Sequence, residues 1–122
     1  MDEPPGKRPL IGVVGPCGSG KSTLIKGLEQ RGYACRHIAQ EHSYLPSMWQ
    51  VISKPDILIY LGASFSVSTT RRRLNWREID YTEQLRRLAH AREHANLIVH
   101  TDELTVAQVL QKTLDFLEEF SR

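Results

Sequence analysis

The stretch from Gly15 to Ser22, Gly-Pro-Cys-Gly-Ser-Gly-Lys-Ser, limits what this chain can fold into more than any other. It follows Pro9 to Gly15 (PLIGVVG), a brief β-branched run bounded by Pro and Gly, as a buried strand is. It precedes Leu24, Ile25 and Leu28, which recur on one helical face, with Gly32 as the C-terminal stop. The stretch is therefore a tight strand-to-helix turn. Its glycines let successive N–H groups face inward as an anion nest, and the helix N-terminus behind them adds positive dipole character. G-x-x-x-x-G-K-S between a strand and a helix is the context that gives this motif its weight. Gly15, Pro16, Cys17, Gly18, Ser19, Gly20, Lys21, Ser22 and Thr23 are the expected phosphate and nucleotide contacts. Lys21 reaches β/γ-phosphates and Ser22 can ligate Mg²⁺.

Downstream, Tyr33 to Ala39 reads as a weaker strand and Met48 to Ile52 as one helical turn within a loop. Pro55 to Ser64 (PDILIYLGAS) is the strongest strand signal. The polar stretch from Phe65 to Ala95 reads as helical with a break near Asn75 to Asp80, Asp80 and Glu83 acting as a capping pair. Asn96 to Thr101 is a last strand. Thr105 to Phe120 is an amphipathic helix with Val106, Val109, Leu110, Leu114 and Leu117 on one stripe. Strands alternating with helices imply crossover connections. The expected fold class is α/β, a three-layer sandwich around a small, mostly parallel sheet of about four strands, with a P-loop after the first.

With 122 residues, 40% apolar and 25% charged, the chain fits one domain, expected over residues 9–122 after a disordered tail of residues 1–8. A net charge of +2 gives no electrostatic argument for nucleic acid. No apolar stretch approaches a membrane span and the acidic, Pro-rich start is not a signal peptide, so a cytoplasmic location is expected. Cys17 and Cys35 have no metal-ligand spacing and read as small packing residues. So small a sheet buries its faces only marginally, which makes a homodimer plausible through the long polar helices or the Trp49 loop.

The loop motif resembles that of the P-loop NTPases. "KPDILIYLGAS" followed by "TTRRR", and the tail "LIVHTDELTVAQVL", are similar to the small-molecule and nucleotide kinases. In such kinases a Pro-Asp-led strand precedes an Arg-bearing lid, and the last strand is followed by a turn beside the adenine. Together these segments span most of the chain. The departures are specific: the segment from Ala39 to Pro55 is shorter than the family's substrate-binding region, one strand is missing, and Gly62 stands where such kinases often carry Asp.

The resemblance implies a Mg²⁺-binding carboxylate, yet no run of four apolar residues ends in Asp. Glu41, at the C-terminal end of the second strand, is the nearest substitute, with Asp56 and Asp102 as alternatives. If the missing strand is the one usually beside the first, "RHIAQ" takes its place and carries Glu41 and His42 to the phosphates. Otherwise the two solvate a loop. The candidate metal ligands are Ser22 and Glu41, and His42 is a candidate base. Arg71, Arg72 and Arg73 are either a solvated run or a lid in which one or two contact phosphate, with Arg72 and Arg73 assigned beside Lys21, Glu41 and His42 as catalytic. Trp49, with Tyr44 and Met48, reads as a core plug before a wall for a base, and Trp76 as a possible cover. His90 and His94, four apart, lack a third ligand. "SKPD" precedes a strand and so is not a guanine-reading box, which leads to the expectation that adenine nucleotides compete at least as well as guanine ones.

Two functions remain open at this point. One is Mg²⁺-dependent ATP binding with hydrolysis or transfer to an unassigned acceptor. The other is a nucleotide-dependent binding module with little turnover, which the short Ala39–Pro55 segment favours.

Overall fold

The computed structural model describes residues 9–72 and 76–121, so the expected N-terminal tail lies outside the described residues. The elements run β1 (Leu10–Val14), α1 (Lys21–Glu29), β2 (Ala34–His37), a 3₁₀ turn (Gln40–His42), α2 (Met48–Ile52) and β3 (Ile57–Gly62). They continue with α3 (Phe65–Arg72), α4 (Glu78–His94), β4 (Leu97–His100) and α5 (Val106–Phe120). The four strands form one wholly parallel sheet in the order β2-β1-β3-β4, as helical crossovers between successive strands require. No helix among the described residues is long and apolar enough to cross a membrane.

All six residues of β3 are buried, which explains its unbroken apolar run: a central parallel strand is covered on both faces. Side chains alternate between the faces. Ile57, Ile59 and Leu61 join Ile11 and Val13 against α1 and α5, through Leu24, Leu28, Val109 and Leu117. Leu58 and Tyr60 join Val14 against Leu88 and Ala91 of α4 and Trp49 of α2. The edge strands are short and keep only Cys35 and Val99 buried.

One boundary and one burial differ from the sequence reading. α4 begins at Glu78 with Arg77 as its cap, and Asp80 accepts the Arg77 backbone N–H at 2.9 Å. Asp80 is thus the third residue of the helix reaching back, as the reciprocal box demands, and Glu83 instead binds Arg86 and Arg87. On α5, Val109 and Leu117 are buried, but Val106 is 65% exposed because its turn opens onto the cleft described below.

Two polar side chains close the lower end of the sheet. Asp56 accepts from Leu10 N at 2.7 Å while its own N–H donates to Leu10 O. Asn96 does the same for Leu58, its Oδ1 accepting at 2.8 Å from an N–H belonging to a residue 2% exposed. Asn96→Ala removes that acceptor and should cost about 1–3 kcal/mol in urea unfolding with an unchanged m value. Asn96→Asp, which keeps an acceptor oxygen, should lose clearly less; equal losses would show that the side chain does not cap the strand.

Candidate functional site

The turn between β1 and α1 forms because two positions reject a side chain or an ordinary backbone angle. A Cβ on Gly15 would collide with the Leu61 carbonyl oxygen of β3 and with Ser19 Oγ. Gly20, with φ +99°, takes the left-handed conformation immediately before α1. Ser19 N–H donates to Pro16 O at 3.1 Å and closes the turn. On the α4 side, Gln84 Oε1 accepts from Cys17 N at 3.0 Å and its Nε2 donates to Cys17 Sγ at 3.3 Å.

Lys21 opens α1, and its side chain folds back into the turn, 6% exposed. An ammonium has three N–H donors, and three oxygens face this one. Gly15 O lies at 2.6 Å, Pro16 O at 3.2 Å and Glu41 Oε2 at 3.0 Å. Ser22 and Thr23 follow on the exposed first turn of the helix.

β2 pairs with β1, and Ile38 N–H continues the pairing by donating to Val13 O. The chain then turns through Gln40–His42, which carries Glu41 to the lysine. Buried Gln40 holds this turn: its Oε1 accepts from Trp49 N at 2.8 Å and its Nε2 donates to Leu45 O and Arg87 O. The Glu41 side chain is 4% exposed and its Oε1 has no hydrogen-bond partner. His42 is largely exposed; its Nε2 lies 3.8 Å from Glu41 Oε2 and 3.5 Å from Cys17 Sγ.

From the other side Arg71 grips the end of β4, Nη1 donating to Thr101 Oγ1 at 2.8 Å and Nη2 to Thr101 O at 2.7 Å. Its Nη1 also reaches Gly18 O at 3.4 Å. The side chain of Arg72 and all of Arg73 lie outside the described residues. The turn, Lys21, Glu41, His42, Arg71 and the Leu104–Val106 segment surround a cleft of about 880 Å³ at the C-terminal edge of the sheet. His37 also lines it, and burial, then the Lys21 charge, holds its imidazole below the ordinary value, with Glu41 opposing.

The other candidates have different surroundings. Asp56 sits at the opposite edge of the sheet on Leu10, and Asp102 Oδ1 caps Ser64 N at 2.9 Å. Trp49 is a core residue whose Nε1 donates to His90 Nδ1 at 3.0 Å, and His94 packs beside it. Trp76 Nε1 donates to Thr69 Oγ1 while its ring stacks on Phe65. Gly62 leaves room for His100, whose Nδ1 would lie 3.1 Å from any Cβ there. Both cysteines are free, and burial, then the Glu29 charge, pushes the Cys35 thiol up to about 11. Gln40, Gln84 and Thr101 escaped the sequence reading. Only Thr101 carried a signal, as a polar residue just past a strand's C-terminal end. The site must be interpreted from its own chemistry, because no protein-family model matches the chain and no curated protein matches its sequence.

Proposed function

We propose that this protein binds Mg²⁺ and a nucleoside triphosphate, ATP by preference, through a P-loop at Gly15–Thr23 within a three-layer α/β domain, and hydrolyses or transfers the terminal phosphate. The observation that carries this reading is Lys21, a buried cation held inside a glycine turn at a helix N-terminus and facing an open cleft. Helices packed on both faces of the sheet support the three-layer arrangement.

In this reading the turn's N–H groups receive the phosphates and Lys21 exchanges Glu41 for a phosphate oxygen. Ser22 and Glu41 border the same cleft, and the unpartnered Oε1 of Glu41 is a hard oxygen suited to Mg²⁺. When bound, that ion neutralises charge on the β/γ-phosphates. His42 stands at the rim as the base, and Arg72 and Arg73 are assigned as lid residues from their place in the sequence alone.

The Lys21–Glu41 pair also favours a second reading, a switch with little turnover. Drawing Lys21 onto phosphate leaves Glu41 buried without its cation, a loss of about 3–5 kcal/mol when a buried pair is broken. The turn Gln40–His42 and α2 would then rearrange and report occupancy to a partner.

Calorimetry on the full chain tests the binding site. ATP with Mg²⁺ should bind, and Lys21→Ala should weaken binding about 10- to 100-fold, the worth of one charge-assisted hydrogen bond. Unchanged affinity in that variant, or a strong preference for GTP in competition, would refute the assignment.

Turnover separates the two readings. Under the enzyme reading Glu41→Gln keeps nucleotide binding but slows phosphate release about 10²- to 10³-fold. Under the switch reading the wild-type protein shows little or no turnover, and ATP changes amide exchange across residues 39–52.

A further inference from the structure

We propose that in the nucleotide-free chain Cys17, Glu41 and His42 form a transition-metal site that takes one Zn²⁺, drawing on the carboxylate that the proposed function gives to Mg²⁺ when a triphosphate is bound. A thiol sulfur, a carboxylate oxygen and an imidazole nitrogen from the glycine turn and the 3₁₀ turn lie within 4.8 Å of one another. The sulfur–nitrogen separation matches a tetrahedral ion, and the nitrogen–oxygen separation is a few tenths of an ångström longer. With Zn–S at about 2.3 Å and Zn–N or Zn–O at about 2.0–2.2 Å, tetrahedral angles put sulfur and nitrogen about 3.6 Å apart and nitrogen and oxygen about 3.4 Å apart. Cys17 Sγ and His42 Nε2 are 3.5 Å apart, and His42 Nε2 and Glu41 Oε2 are 3.8 Å apart.

Two further observations separate this cluster from a simple thiol–imidazole contact. The Glu41 carboxylate is almost wholly removed from water, yet its Oε1 has no hydrogen-bond partner. A buried carboxylate oxygen without a partner is costly, and a metal ion on this carboxylate would supply one beyond Lys21, which holds Oε2 at 3.0 Å. Gln84 Nε2 donates to Cys17 Sγ at 3.3 Å, the kind of outer contact that orients a ligating sulfur. Lys21 keeps Gly15 O and Pro16 O as acceptors when the metal takes the carboxylate.

A sulfur and an imidazole beside one carboxylate suit Zn²⁺ and disfavour Mg²⁺, which demands oxygen. Three protein ligands leave a fourth position for water or a ligand atom from the cleft. Ligation needs the Cys17 thiolate, so the thiol proton is released to solvent and affinity rises with pH.

The test is titration of the nucleotide-free full chain with Zn²⁺, and separately with Co²⁺ as a spectroscopic probe, in buffer containing excess Mg²⁺. One ion per chain should bind, and Co²⁺ should show the thiolate charge-transfer absorption and tetrahedral visible bands. Cys17→Ser should abolish the charge-transfer absorption, and Cys17→Ser and exposed His42→Ala should each weaken Zn²⁺ binding by more than about tenfold. His94→Ala, which alters the closely spaced His90–His94 pair outside the cluster, should bind as the wild type does. Lys21→Ala should keep Zn²⁺ binding while triphosphate affinity falls, so failure of the metal proposal is distinguishable from failure of the nucleotide reading. Absence of binding under Mg²⁺, a Co²⁺ spectrum without the sulfur absorption, or wild-type affinity in both ligand variants would overturn the proposal.

Discussion

An ammonium group almost completely withdrawn from water must have all its N–H donors satisfied, and the arrangement around Lys21 follows from that requirement. Two of its acceptors, Gly15 O and Pro16 O, exist only if the chain after β1 turns sharply back over the start of α1. That turn passes so close to the Leu61 carbonyl that position 15 has no room for a Cβ. The third acceptor, Glu41, comes from a different crossover and brings the negative charge that makes burial of Lys21 tolerable.

Glu41 could not hold this position on a free loop. β2 ends beside β1, Ile38 adds one more backbone bond to Val13, and the chain then enters a short turn fastened by buried Gln40. The amide of Gln40 links that turn to the start of α2 and to the backbone of α4. A polar core residue thus places a catalytic candidate, and both the oxygen and the nitrogen of its amide are engaged.

The glycine turn is also held from two sides by side chains of later elements. Gln84 of α4 binds Cys17 through both backbone and sulfur, while Arg71 of α3 connects Thr101 after β4 to Gly18. These bonds couple the turn to segments far away in the chain. Lys21 and the carbonyls around it are thereby tied through hydrogen bonds and one ion pair to the 3₁₀ turn, α3 and the residue after β4.

The parallel sheet, its helical crossovers and the glycine turn were legible in the sequence because each depends on local pattern. β3 is apolar throughout because both its faces are covered, α5 repeats its apolar residues at helical spacing, and the turn's glycines and lysine are contiguous. The start of α4 was displaced because a capping box has an acidic residue inside the helix, and the sequence alone does not distinguish that residue from the cap. Glu41 was legible as a candidate from its place at a strand end, but its pairing with Lys21 was decided by β2 lying against β1, a choice of neighbour that no local pattern encodes. Gln40, Gln84 and Arg71 acquire their parts only from the tertiary structure, because a hydrogen bond between residues dozens of positions apart leaves no periodicity behind. Local stretches determined what the elements are; packing determined which polar atoms had to meet once water was excluded.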